Sequence, residues 1–161
     1  MAKKAKFFGT AGIRGLYGIK VTHKLVLHVS QTIAELYPNR GIVIGHDART
    51  SSETLSYIAI SSLLAKGVLV NYAGLCSFPV IANLTLNHRH PVAIFITASH
   101  NPPEYNGIKV LHDGREFNET EQDEIEKIVL ERLQSNKLIF NSSSWRNLKP
   151  LQSIAATEEY I

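Results

Sequence analysis

Apolar residues recur along this chain at two alternating periods, and the alternation lays out a sequence of helices and strands. From Thr22 to Tyr37, Leu25, Val29, Ile33 and Leu36 keep helical spacing, and Pro38-Asn39 ends the run. Ile42-Val43-Ile44 is too short for a helix and reads as a strand buried on both faces. Leu55, Ile58, Ala59 and Leu63 mark a second helix ending near Gly67. Ahead of it, Thr50-Ser51-Ser52-Glu53 has the pattern of a capping box, with Thr50 as the cap. Val68-Leu69-Val70 predicts a strand, and Pro79 suits the first turn of a short helix reaching about Asn87. Pro91-Val92-Ala93-Ile94-Phe95-Ile96 is a further buried strand. After a short strand at 107–111, Asn118-Glu119-Thr120-Glu121 opens a helix with an acidic first turn, and Ile125, Ile128, Val129 and Leu133 face inward.

Strand and helix alternating in this way predict a three-layer α/β/α domain with a mixed, mainly parallel four-stranded sheet. The hop from the strand ending at Ile96 to the strand at 107–111 is too brief for a parallel crossover, so that pair is expected to be antiparallel. Residues 135–145 carry the least pattern and read as loop or linker.

The totals narrow the classes. At 161 residues the chain can build one real core, burying roughly 70% of its unfolded surface, and two full domains are not expected. Lysines and arginines are scattered apart from Lys3-Lys4-x-Lys6, without interleaved aromatics, and the net charge is only +3. That argues against nucleic-acid binding and suits a small anionic substrate. One cysteine, Cys76, rules out an internal disulfide and points to the cytoplasm. Gly9 and Thr10 interrupt the basic N-terminus before an apolar signal segment can form, and no stretch approaches a membrane span of ~20 residues. His88-Arg89-His90 has no evident third ligand and is not assigned a metal.

The most informative segment is Thr97-Ala98-Ser99-His100-Asn101-Pro102-Pro103-Glu104-Tyr105-Asn106-Gly107-Ile108-Lys109. It places Ser99 where a buried strand empties into a loop, at the end where open α/β sheets bind ligands. Pro102 and Pro103 stiffen the loop, and Asn106-Gly107 turns it into a strand that brings Lys109 back. Strand alternation sets Ile108 and Val110 on one face and Lys109 with Leu111 on the other.

This loop resembles the phosphoserine loop of the α-D-phosphohexomutases, the phosphomannomutase and phosphoglucomutase superfamily. Phe8-Gly9-Thr10-Ala11-Gly12-Ile13-Arg14-Gly15, Gly45-His46-Asp47-Ala48-Arg49-Thr50-Ser51-Ser52 and Asp113-Gly114-Arg115-Glu116 resemble its other segments, in order, from Phe7 to about Gln134. His46 replaces the family's usual arginine, and Leu75-Cys76-Ser77-Phe78-Pro79 departs from its V-P-T-P turn.

The resemblance implies a phosphorylated Ser99 that passes its phosphoryl group to one end of a hexose phosphate and recovers the other phosphate from the resulting 1,6-bisphosphate. It implies Lys109 as general base, His100 shaping the site or moving a proton, and Arg14 and Asn101 holding phosphate. Asp47 and Arg49 read as a structural ion pair beneath the site. Mg2+ would be held through the phosphate on Ser99.

Family members have four domains. The aspartates here are Asp47, Asp113 and Asp123, so the D-G-D-x-D-R metal loop is not in this sequence, nor is the sugar-binding E-x-S-G. The expectation is therefore a catalytic-serine domain at 1–145, with 146–161 as linker and start of a helix towards a second domain. Its partners would be the remaining mutase domains, in cis or on another chain, with neither nucleic acid nor membrane involved. Alone it is expected to be inactive; the alternative is a non-catalytic binding or assembly module that keeps the fold.

Overall fold

The computed structural model describes residues 7–9, 12–38, 40–86, 90–135 and 143–160. Lys3-Lys4-x-Lys6, Thr10-Ala11, His88-Arg89 and most of the unpatterned stretch at 135–145 lie outside the described residues. The elements run β1 (Phe8–Gly9), β2 (Gly12–Leu16), α1 (His23–Leu36), β3 (Ile42–His46), α2 (Thr50–Ala65), β4 (Val70–Leu75) and α3 (Phe78–Leu86). They continue with β5 (Val92–Ile96), β6 (Tyr105–His112), β7 (Arg115–Glu116), α4 (Glu119–Ser135), a 3-10 turn at Trp145–Asn147, β8 (Gln152–Ser153) and α5 (Ala156–Tyr160).

Successive residues of the central strands feed two separate cores, as a pleated strand requires. Ile42 and Ile44 of β3, Ile94 and Ile96 of β5, and Ile108 and Val110 of β6 pack with Leu25, Val29 and Ile33 of α1, Leu55 and Leu63 of α2, and Ile125 and Val129 of α4. Val43, Ala93, Phe95 and Leu111 pack on the other face with Val80, Ile81 and Leu84 of α3 and Ala156 of α5. The layers are thus α/β/α, as expected.

The sheet is wider than the four strands expected. Its order is β1-β2-β6-β5-β3-β4-β8, with β7 beside β6, eight strands among the described residues. β3 pairs in parallel with β4 and β5, and β4 with β8. β6 runs antiparallel to β5, as its short connection demands, and also antiparallel to β2 and β7. Three of the additional strands, β1, β7 and β8, are two-residue segments at the margins of the sheet, and β2 lies between β1 and β6 with a Gly-rich sequence that shows little periodicity. The strand expected at 68–70 starts only at Val70, because Gly67, at φ 75, closes α2 and Val68 still donates to Leu63 O.

Capping differs from the pattern as well. Thr50 already lies inside α2, whose N-cap is Arg49. The reciprocal box forms instead at α4, where Glu121 N donates to Asn118 Oδ1 (3.0 Å) and Asn118 N to Glu121 Oε2 (2.7 Å). Buried serines on α2 donate back to the preceding turn, Ser56 to Glu53 O and Ser62 to Ile58 O, which lets small polar residues sit in that interface. The buried Glu126 of α4 accepts from Phe7 N and Phe8 N and anchors the β1–β2 hairpin that carries Arg14. No helix among the described residues is long and apolar enough to cross a membrane.

His28 of α1 is 1% exposed, and neither ring nitrogen has a hydrogen-bond partner. Burial, then the charges of Arg132 and Lys24, lower its pKa from the ordinary 6.5, so the fold favours the neutral ring. Because the unfolded chain takes up this proton first, the contribution is fully present above pH 6.5 and is lost as pH falls below it. Urea unfolding at descending pH should show wild type losing more stability over this window than His28→Leu. Parallel curves for the two would contradict the assignment.

Candidate active site

Ser99 stands exposed just beyond β5, with φ 55. A non-glycine residue in this left-handed region costs on the order of 1–2 kcal/mol and persists only where its surroundings impose it. Here the imposition comes from the β3–α2 connection. Asp47 Oδ2 accepts from Thr97 Oγ1 at 2.7 Å, and that same Thr97 oxygen accepts from Ser99 N at 2.9 Å. Asp47 Oδ1 accepts from Ser52 Oγ (2.6 Å) and Arg49 N (3.1 Å), while Arg49 Nε reaches Oδ2 at 3.1 Å. Burial pushes the Asp47 carboxyl up, but the Ser52 and Thr97 hydroxyls, the Arg49 N–H and the Arg49 charge outweigh it and hold the group below the usual carboxylate range.

Arg49 then spends its remaining donors on the loop itself. Its Nη1 donates to Pro102 O (2.6 Å) and Tyr105 O (3.1 Å), and its Nη2 to Ser99 O (3.0 Å) and Asn101 O (2.6 Å). The planar guanidinium so gathers four carbonyls of one loop. Asn106 completes the frame: its Nδ2 donates to Ser51 Oγ and Ser52 Oγ, and its Oδ1 accepts from Gly107 N. The ion pair expected at Asp47 and Arg49 is present and does more than brace: it holds the serine loop by its backbone.

A row across three strands brings in the cations. Arg14 of β2 pairs with Gly107 of β6, whose carbonyl accepts from Thr97 N at 3.1 Å. A Cβ at Gly107 would lie 2.3 Å from Ile13 O and 2.6 Å from Thr97 O, so only glycine allows this approach. Arg14 Nε is buried without a hydrogen-bond partner, a desolvated donor beside the loop. Two residues along β6 and on the same face, Lys109 is 6% exposed. Its Nζ sits 4.8 Å from the Phe78 ring centre and makes a short ion pair with Glu116 Oε1. Lys109 shares its face with Leu111, opposite Ile108 and Val110, as strand alternation predicts.

His100 is exposed. Asn101 is tied through its backbone, N to Ala98 O and O to Arg49. His46 lies between Asp47 O and Tyr72 OH, at 2.8 and 3.0 Å, and stacks on the Tyr72 ring. Among the described residues no group of three His, Cys, Asp or Glu could hold a metal ion. Sequence reasoning did not single out Thr97, Asn106 or Glu116. Thr97 and Asn106 lie within the loop already quoted, but their bonds reach other segments that are close only in the fold.

A family model described as phosphoglucomutase/phosphomannomutase, alpha/beta/alpha domain I, matches residues 5–136. The chain belongs to the phosphoglucomutase/phosphomannomutase family. A protein of Pyrococcus abyssi described as a probable phosphoglucosamine mutase is 38% identical over 157 residues, 97% of this chain and 34% of that protein. The phosphoglucosamine mutase of Thermotoga neapolitana is 34% identical over 157 residues, 98% of this chain and 36% of that protein. The chain spans about a third of the length of these curated relatives. A family protein from Burkholderia thailandensis shares the fold, with a TM-score of 0.71 at 24% identity, covering 96% of this chain and 34% of that one.

Proposed function

We propose that this domain carries the phosphoserine of a phosphohexomutase, with Ser99 as the residue that accepts and returns the phosphoryl group. The observation that carries the reading is the exposed Ser99, held in a left-handed conformation by Asp47, Thr97 and Arg49, with the unpaired Arg14 Nε on β2, across β6 from the strand that leads into Ser99. The substrates are hexose 1-phosphate and hexose 6-phosphate, glucosamine phosphate among them, interconverted through the 1,6-bisphosphate. Arg14 grips phosphate oxygens in a forked geometry. Lys109 takes the proton of the attacking sugar hydroxyl. His100 lines the mouth of the loop, where it can move a proton, and Asn101 offers an amide to the phosphate.

Bound at the phosphate on Ser99, Mg2+ would neutralise charge on the transferring oxygens. This chain fits that role only in part: the phosphate supplies oxygen ligands, and the described residues offer no acidic cluster beside it. Titration calorimetry should therefore show negligible magnesium binding to unphosphorylated chain and weak binding once Ser99 carries phosphate. A tight site in the unphosphorylated chain would contradict this.

We place the catalytic-serine domain at 1–145 and read 146–161 as the lead into a second domain. The exposed Trp145, Leu148 and Leu151 support a neighbouring surface there, although β8 and α5 pack on the sheet they leave. The remaining mutase domains are the expected partners, and the cytoplasm is the expected compartment. Purified alone, the chain should interconvert no hexose phosphates, and adding the remaining domains should restore turnover. Enzyme-like turnover by the chain alone would overturn the partial-enzyme reading. Failure of the added domains to restore it would favour a binding or assembly module.

A further inference from the structure

We propose that Glu116 is a positioning residue for Lys109 that takes up its proton during phosphoryl transfer, so that the base of this site is a two-residue relay; the inference rests on the mutase reading above. A lysine whose ammonium is held on a carboxylate has no lone pair to offer. Lys109 is in that position: its side chain is 7% exposed, its Nζ is bonded to Glu116 Oε1, and the Phe78 ring covers it. It can accept a proton only by releasing one, and Glu116 is the acceptor in contact. Glu116 Oε2 is buried with no hydrogen-bond partner, an arrangement that packing alone does not explain, since a buried carboxylate oxygen is normally satisfied.

Among the described residues the charged groups next to Glu116 have partners of their own. On the same face Arg14 lies one step up the sheet, and Cys76 ahead of α3 is neutral, burial pushing its thiol up to about 11. Next to Glu116, Arg115 is engaged by Glu121, and His112 lies against Glu121 and Asp113.

In the first half-reaction the sugar hydroxyl oxygen forms a bond to phosphorus as the bond from phosphorus to Ser99 Oγ breaks. The hydroxyl proton passes to Lys109 Nζ while Nζ passes one of its own to Glu116 Oε1. Ser99 Oγ leaves with the electron pair and takes a proton from solvent. In the second half-reaction Ser99 Oγ attacks the other phosphate of the bisphosphate and gives its proton to solvent. The departing sugar oxygen takes a proton from Lys109, which Glu116 replenishes. Atoms and charge balance over the cycle.

The test uses the chain together with the remaining mutase domains and follows transfer of labelled phosphate from Ser99 to hexose 1-phosphate in a single turnover. Glu116→Gln keeps shape and loses the proton acceptor. It should slow transfer about 10²-fold, the scale of general acid–base catalysis, with substrate affinity little changed and the pH dependence of transfer altered. Glu116→Asp should recover part of the rate. In wild type, the rate plotted against deuterium fraction should curve, as two protons in flight require, which keeps the proposal testable if Glu116→Gln does not fold. Wild-type transfer matched by Glu116→Gln with the same pH profile, or a linear deuterium plot, would overturn the relay alone. Absence of any transfer by wild type would overturn the mutase reading, and the relay with it.

Discussion

Ser99→Ala should abolish turnover in the chain reconstituted with its remaining domains, and Lys109→Ala and Arg14→Ala should weaken it by different routes. Without Ser99 Oγ there is no oxygen to carry phosphate between the two sugar positions, so the remaining rate should be background. Lys109→Ala removes the group that takes the sugar proton, a loss of about 10²–10⁴-fold in kcat. Arg14→Ala removes a guanidinium from a half-buried side chain whose buried Nε has no partner to lose, so the fold should tolerate it while transfer falls by about 10²-fold or more. Steady-state rates for the three variants, with circular dichroism as a check on folding, test the set. Turnover by Ser99→Ala above background would contradict the assignment of the phosphate carrier.

The second large effect falls on Arg49, which is not expected to touch the reacting atoms. Its side chain is 12% exposed, and its guanidinium serves Asp47 and four loop carbonyls at once. Arg49→Met strips those carbonyls of a charged donor and leaves Asp47 with less to offset its burial, a loss of about 3 kcal/mol in the stability of this chain. Arg49→Lys should rescue little, because a single ammonium cannot reproduce the fork. Loop geometry should suffer too: Ser99 would relax from φ 55, and a displacement of about 1 Å at a reacting group can cost about 10²-fold in rate. Urea unfolding and the rate of Ser99 labelling measure the two consequences. The acid side adds a check. With its carboxyl held below the usual range, Asp47 contributes stability that is present above the ordinary carboxylate pKa and lost as pH falls below it. That acid loss should be smaller in Arg49→Met. Unchanged stability and labelling in that variant would show the clamp to be ornamental.

What could be read from the sequence divides along a physical line. Elements with strong periodicity were legible: α1 runs from His23 to Leu36 behind its Thr22 cap, and β6 reverses against β5 because the connecting loop is too short for a crossover. Elements held by backbone pairing were not, and β1, β2, β7 and β8 account for the difference between four strands and eight. Capping was read at Thr50 and formed at Asn118, since Arg49 is drawn into the Asp47 network and sets the start of α2 one residue earlier than the hydroxyl pattern suggests.

The site divides the same way. Ser99, Lys109 and Arg14 stand out because they lie on segments that resemble the family's motifs. The reach of Arg49 across more than fifty residues to Asn101 and Pro102, and the pairing of Lys109 with Glu116, depend on strand register, which spacing does not reveal.

The central claim is that Ser99 carries the phosphate, and direct site mapping tests it. The chain, supplied with its remaining domains if labelling requires them, is incubated with hexose 1,6-bisphosphate, digested and read by tandem mass spectrometry. One phosphate per chain, located on Ser99 and absent from Ser99→Ala, is the expected result; phosphate on another residue, or undiminished incorporation in Ser99→Ala, would contradict the account.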